Sequence, residues 1–410
     1  MNILGIVVEY NPFHYGHFHH LKASQKKTDA DITVAVMSGS LLQRGEPALI
    51  DKWKRTKMAL TSGVDLVIEL PYIYSTQKAE IFSDGAVSLL NTLEVNHLCF
   101  GSESGDITSF VNTVNAIEVR EGELDTLLKE NMKAGYSYPK AFSVAFRTLF
   151  QGEEILDLTK PNNILGYHYV KAIKKLSSSM QAHTILREKA GYHQKELTNQ
   201  IASATAIRNE IIQKGKPLDQ IDHFLPETTL HELQTHMEEI GSFAHWELYF
   251  PFLQYRILTE PTESLGKIYE CEEGLEYRLK KHINQCSSFQ EFMESVKTKR
   301  YTWTRLQRLF VHILMNTPKS FMEEHCHPLS PPYIRVLGMS SEGRNYLSSV
   351  KNSLPIPLIT RAGESNHPVL AKDTLASHIH SLPLVKKDSL LKEYKAIPIQ
   401  LEKNKLADRK

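Results

Sequence analysis

The chain has 410 residues, with 48 Lys and Arg against 47 Asp and Glu and a formal net charge of +1. It is too long for one ordinary core and too evenly charged for overall charge to demand or exclude nucleic acid. The four cysteines (Cys99, Cys271, Cys286 and Cys326) are scattered and form no Cys-x-x-Cys, which excludes a disulfide scaffold and fits reduced thiols in a cytoplasmic protein. No apolar run nears the roughly 18 residues of a membrane span. The amino terminus lacks the basic start of a signal peptide, and Glu9 interrupts its short apolar stretch.

In chain order, Ile3–Val8 reads as a buried strand and His17–Lys27 as a helix. A second strand follows at Ile32–Met37. Asp51 is placed to cap a helix running through Thr61, with Gly63 just past its end. Val64–Leu70 is a third strand, stopped by Pro71. A helix over Ala79–Leu93 leads to a short fourth strand, His97–Phe100, which ends at Gly101-Ser102-Glu103. Apolar strands alternating with helices predict an α/β fold with a Rossmann-like parallel sheet covered on both faces.

From Asp106 to about Phe150 the pattern is helical, broken at Gly135 and Pro139. Pro161-Asn162-Asn163 opens a helix over Ile164–Lys175, and Ala182–Leu186 is a further strand leading to Arg187. Beyond Lys214 the chain becomes predominantly helical. It carries an aromatic-rich segment at Phe243–Tyr255, a basic stretch at Lys297–Arg308 and prolines at Pro328–Pro332. A compact piece runs to about Val385, and the charged tail Lys386–Lys410 is expected to fray. The predicted organisation is therefore a catalytic domain over residues 1–215 and a mainly helical region over 216–410.

The chemistry concentrates at the start. A strand meets a Pro-marked turn, then His14-Tyr15-Gly16-His17, then a helix. Exposed backbone N–H groups and the helix dipole make that place an anion site, and it lies where open α/β sheets bind ligands. Gly16 allows close backbone approach. Two imidazoles supply donors for charge growing on a phosphate. The expectation is a nucleotide α-phosphate site. His19 and His20 fall on the following helix, in surface or packing roles or in backbone contact with the nucleotide. The four histidines have no acidic or thiol partner at zinc spacing, so no metal is assigned. His325-Cys326-His327 cannot easily aim three side chains at one ion and reads as a loop.

The second signal is Ser203-Ala204-Thr205-Ala206-Ile207-Arg208. Hydroxyls and amides at a helix start cradle phosphate oxygens, and Arg208, three residues beyond Thr205, can reach the same anion. Taken alone, the segment is also an ordinary capping feature. The pair of signals is what HIGH-type nucleotidyltransferases use, the first for the α- and β-phosphates and the second for departing pyrophosphate. Ala204 stands where that superfamily often has a second serine.

Taken together, the motifs closely resemble those of the bacterial tRNA(Met) cytidine acetate ligases. The matching segments are Gly5–His17, Met37–Gly39, Gln43–Pro47, Asp65–Pro71, Cys99–Glu103, Pro161–Gly166, Arg187 with Gly191-Tyr192-His193, Ser203–Arg208 and Tyr333–Gly338. The resemblance implies an enzyme that makes acetyladenylate from ATP and acetate, then acetylates N4 of the wobble cytidine of elongator tRNA(Met). It places ATP contacts on Val7, Val8, Glu9, Tyr10, Asn11, Pro12, Phe13, His14, Tyr15, Gly16, His17, Phe18, His19 and His20, and on Gly101, Asn162 and Arg187. Catalytic roles fall on His14, His17, Ser203, Thr205 and Arg208. A Mg²⁺ ion bridging the phosphates is expected, without a ligand set in the sequence.

Arg44-Gly45-Glu46-Pro47 and Asp51-Lys52-Trp53-Lys54-Arg55 follow the second strand onto the same rim. A cation there meets acetate or phosphate, or the charges form a solvated helix face. For RNA, Lys297, Lys299, Arg300, Tyr301, Trp303, Arg305 and Arg308 interleave cations for phosphates with aromatics for unpaired bases. Arg305 and Arg308 would share one helix face. Two other readings fit the same residues: an adenylyltransferase acting on a small phosphate-bearing metabolite, and a non-catalytic RNA-binding protein with a nucleotide site.

Overall fold

The computed structural model describes residues 1–153, 155–187, 202–384 and 393–402. Its strands are β1 (Ile3–Val8), β2 (Ile32–Ser38), β3 (Leu66–Leu70), β4 (His97–Ser102), β5 (Gln181–Leu186), β6 (Ile334–Ser340), β7 (Leu358–Ile359) and β8 (Ile399–Leu401). They form one sheet in the order β5-β4-β1-β2-β3-β6-β7, with β8 paired to β6. β1 lies between β2 and β4 and runs parallel to both. The chain builds outward from β1 through β3, then returns to the other side of β1 to lay down β4 and β5. That reversal opens a crevice at the carboxyl ends of β1 and β4, where ligands bind in such sheets.

Successive residues of a strand face opposite sides. Leu4, Ile6 and Val8 of β1 enter one apolar layer with Leu21, Met58, Ala59, Ile207 and Ile211. Ile3, Val34 and Val36 enter the other with Leu89, Leu90, Phe100 and Tyr169. Both faces are thus covered, as the near-continuous apolar strands require.

Two helix starts settle the rim. The helix α1 (Tyr15–Thr28) is capped by His14, whose Nδ1 accepts the Gly16 N–H at 3.0 Å. The helix α2 (Lys52–Thr61) is capped by Asp51, which accepts the Lys54 N–H at 2.9 Å. Gly63 follows α2 at φ 106°, a left-handed conformation that glycine adopts without a Cβ penalty.

The stretch after residue 215 is helical, as expected, through Trp246–Thr259, Leu275–Ile283, Phe289–Val296 and Trp303–Leu314. The sheet, however, does not stop at residue 215. β6 pairs antiparallel with β3, Val67 opposite Gly338, and all seven of its residues are buried. Without β6 the apolar β3 would be an open edge. The segment Tyr333–Gly338 was matched above only as a motif; its apolar run is a strand buried on both faces. Behind it, Lys52 Nζ lies 2.6 Å from Glu69 and 2.8 Å from Glu393. Arg335 lies 3.3 Å from Glu69 and 2.6 Å from Glu393, all four side chains being buried. No helix among the described residues is long and apolar enough to cross a membrane.

Candidate active site

His14 and His17 sit where β1 gives way to α1, with ring centroids 3.8 Å apart. His14 is buried and His17 half-buried. Burial, then Arg187 and Arg208, push the His14 imidazole down to about 3. Burial, then His14 and Arg187, hold His17 well below the usual histidine range. Burial and Arg187 bring His20 down to about 4. These rings are therefore neutral at working pH. A neutral imidazole can donate to an anion without first paying to hold a buried charge.

The two sequence signals meet here. Arg208 donates from Nη1 to the Asn11 carbonyl at 2.9 Å and from Nη2 to Glu46 at 2.7 Å. Its helix, Ala204–Ile212, starts at Ser203, which accepts the Ala206 N–H at 3.2 Å, and buries Ile207 and Ile211 against the β1 side of the sheet. Arg187 leaves the end of β5, its N–H bonded to the Ser102 carbonyl at 2.8 Å. A Cβ on Gly101 would come within 3.2 Å of the Arg187 Cγ and 3.7 Å of the His20 ring. Gly101, His20 and Arg187 thus form the β4 wall of the crevice, while Asn11, His14, His17 and Arg208 form the β1 wall.

The remaining expected residues divide into two groups. Tyr10, Asn11, Pro12 and Phe13 are buried, with Tyr10 and Phe13 in the apolar layer under β1. Val7, Val8, Tyr15, Gly16 and Phe18 line the same turn, and His19 is exposed on α1. Ser203 and Thr205 are exposed at their helix start. Asn162 donates from Nδ2 to Glu103 at 2.6 Å, and Glu103 also accepts the Asn163 N–H at 2.8 Å. Glu103 therefore caps the helix Pro161–Lys175, and the Asn162 side chain is engaged in that cap. Gly191, Tyr192 and His193 lie outside the described residues.

Glu46 was not anticipated as a partner of Arg208. The available signal was its place in Arg44-Gly45-Glu46-Pro47, directly after β2 on the same rim. Two cations of that rim, Arg55 and Lys52, fit neither reading, while Arg44 is exposed. Arg55 is buried and donates to the carbonyls of Glu9 (2.7 Å), Ser38 (3.0 Å) and Gly39. Lys52 belongs to the buried ionic group, so neither residue meets solvent or a ligand. Among the described residues no three His, Cys, Asp or Glu side chains gather as metal ligands. The cations that bear on the histidines are Arg187 and Arg208 for His14 and Arg187 for His17.

The basic stretch is largely neutralised. Arg300 lies 3.4 Å from Glu273, Arg305 3.2 Å from Glu272 and Arg308 2.8 Å from Glu270. Tyr301 is buried, with its hydroxyl donating to Glu273 at 3.1 Å, and Trp303 packs half-buried against the core. Tyr301 is thus a packing residue and not a platform for a base, because its ring is already covered. Lys297, Lys299 and Arg300 remain exposed.

A Rossmann-type sheet with paired histidines and an arginine at its switch point defines a nucleotidyltransferase, and the family model described as HIGH Nucleotidyl Transferase matches residues 1–394. The chain is 47% identical over 410 residues to tRNA(Met) cytidine acetate ligase of Bacillus velezensis, covering 98% of each chain. It is 47% identical to the Bacillus subtilis protein of the same name, also over 98% of each. The crystal structure of Thermotoga maritima TmcAL bound with alpha-thio ATP superposes with a TM-score of 0.89 at 33% identity, over 98% of this chain and 100% of that one. The chain belongs to the tRNA(Met) cytidine acetate ligase family.

Proposed function

We propose that this chain is an ATP-dependent ligase that activates acetate as acetyladenylate and transfers the acetyl group to N4 of the wobble cytidine of elongator tRNA(Met). The observation that carries the reading is the approach of Arg208 to the His14–His17 turn, through the Asn11 carbonyl. Free acetate is a poor acyl donor, and the cytosine amine is a weak nucleophile because its lone pair is delocalised. Making the mixed anhydride supplies AMP as a leaving group and makes the transfer feasible.

In this reading acetate attacks the α-phosphorus in line with departing pyrophosphate. His14 and His17 donate to the phosphate oxygens as charge shifts there, where stabilisation is mainly electrostatic. Arg208 exchanges the Glu46 carboxylate for a β- or γ-phosphate oxygen, joined by the Ser203 and Thr205 hydroxyls. Arg187 and the bare backbone of Gly101 hold the nucleotide against β4, and Asn162 serves from the edge of that wall. The helical region carries tRNA recognition, with the exposed Lys297, Lys299 and Arg300 as phosphate contacts and Arg305 and Arg308 behind them. The test is incubation with ATP, labelled acetate and bulk tRNA, followed by nucleoside analysis. Label is expected in acetylated cytidine; label absent from cytidine contradicts the reading.

A further inference from the structure

Glu9 stands at the end of β1, one residue before Tyr10 turns the chain at φ 49°. Its carbonyl is held by Arg55 at 2.7 Å, and its carboxylate Oε1 accepts the Gln43 N–H at 2.8 Å. The other oxygen, Oε2, takes no hydrogen bond among the described residues. Among the described residues the other carboxylates of this rim are engaged: Glu46 by Arg208, Glu103 by the cap of Pro161–Lys175, Asp51 by the cap of α2, and Glu69 by Lys52. The acetyl transfer itself needs a base. When N4 of cytidine attacks, it must lose a proton, and the His14 and His17 rings are already engaged with the phosphate oxygens in the ligase reading above.

Resting on the ligase reading above, we propose that Glu9 is the general base of the acetyl-transfer step. The cytidine N4 lone pair forms a bond to the acetyl carbonyl carbon. The N4 proton passes to Glu9 Oε2, and the bond between that carbon and the bridging phosphate oxygen breaks, its electron pair leaving with AMP. Nothing else is consumed. The one-point tether from Gln43 fixes the carboxylate while leaving Oε2 to receive the proton.

The surroundings suit that task. Burial raises the Glu9 carboxyl above the usual carboxylate range; the Gln43 N–H draws it back, Glu46 pushes it up, and Arg208 and Arg44 draw it down. Arg55 from α2 and Tyr169 from the helix Pro161–Lys175 complete the charged and titratable groups that sense it. A base whose affinity for the proton lies nearer the working pH is the more efficient one.

The experiment compares wild type, Glu9→Gln and Glu9→Asp in two assays: acetate-dependent ATP–pyrophosphate exchange, and single-turnover acetyl transfer to tRNA as a function of pH. For Glu9→Gln, transfer is expected to fall by about 10²-fold or more and to lose the acid limb of its pH profile, while exchange falls far less. Glu9→Asp keeps a carboxylate and recovers part of the transfer rate together with the acid limb. Equal losses in both assays without recovery in Glu9→Asp overturn the assignment, as does wild-type transfer by Glu9→Gln. A wild-type protein with no acetate-dependent exchange fails the ligase reading itself, a separate outcome.

Discussion

Arg208 reaches across 197 residues of sequence to donate a 2.9 Å hydrogen bond to the carbonyl of Asn11. That bond brings the helix start at Ser203 onto the turn that carries His14 and His17, and it aims a guanidinium fork at the place where phosphates are expected. Replacing Arg208 by Ala should lower ATP–pyrophosphate exchange by roughly 10²–10³-fold, the size typical of losing one preorganised charge donor. Arg208→Lys should recover little, since an ammonium lacks the paired N–H geometry. Exchange within a few-fold of wild type in the Ala variant would remove Arg208 from the site.

Glu46 now occupies the Arg208 nitrogen that phosphate is proposed to take. Glu46→Gln should weaken that competitor and lower the KM for ATP by a few-fold, with kcat less affected. A raised KM would instead make Glu46 a support that holds Arg208 in place.

The buried histidines predict how stability depends on pH. His14 and His312 are pushed down to about 3, and His20 and His380 to about 4, burial being the largest cause each time. Their unfolded value is about 6.5. The folded state therefore binds fewer protons than the unfolded state between those values. The stability these groups contribute is fully present above about pH 6.5 and is lost as pH falls toward about 4, by roughly 1.4 kcal/mol per pH unit for each histidine. Urea midpoints across that window check this, and His312→Asn should flatten the slope. A midpoint independent of pH there would contradict it.

The group Lys52, Glu69, Arg335 and Glu393 joins α2 and β3 to β6 and the carboxyl-terminal segment. Glu393 also accepts the Trp53 Nε1–H at 3.1 Å. Glu393→Ala leaves two buried cations short of a partner and should cost about 3–5 kcal/mol in denaturant unfolding. A change below ~0.5 kcal/mol would mean the segment is held by other contacts.

On the RNA side, Arg305 is paired with Glu272 at 3.2 Å. Glu272→Gln should free that cation, tighten tRNA binding and steepen its salt dependence, while Arg300→Ala loosens binding and flattens it. ATP binding should not change in either variant. Affinities that stay constant across a salt series would take this stretch out of the interface.

The fold of the first half was legible because local signals and burial agree there. Short, nearly continuous apolar runs set β1 and β2, and Asp51 and Ser203 begin helices where short polar caps are favoured. β6 was not legible as a strand of this sheet, since a short apolar run does not say which distant edge it will cover. The charges were legible only as alternatives: Lys52 and Arg55 read as ligand cations or as a solvated helix face, and only tertiary contacts reveal the carboxylates and carbonyls that hold them and the carboxylates beside the arginines of Lys297–Arg308. In the candidate site, the histidine turn and Arg208 were legible by motif. Glu46 and Glu103 were not, because their roles depend on what folds against them.

In the proposed reaction His14, His17 and Arg208 act on one triphosphate. A crystal structure of this chain with a non-hydrolysable ATP analogue tests it most directly. The α-phosphate is expected within hydrogen-bond distance of a His14 or His17 ring nitrogen, with Arg208 on the β- or γ-phosphate in place of Glu46. A triphosphate bound in the crevice with Arg208 still paired to Glu46 and away from the phosphates would contradict the account.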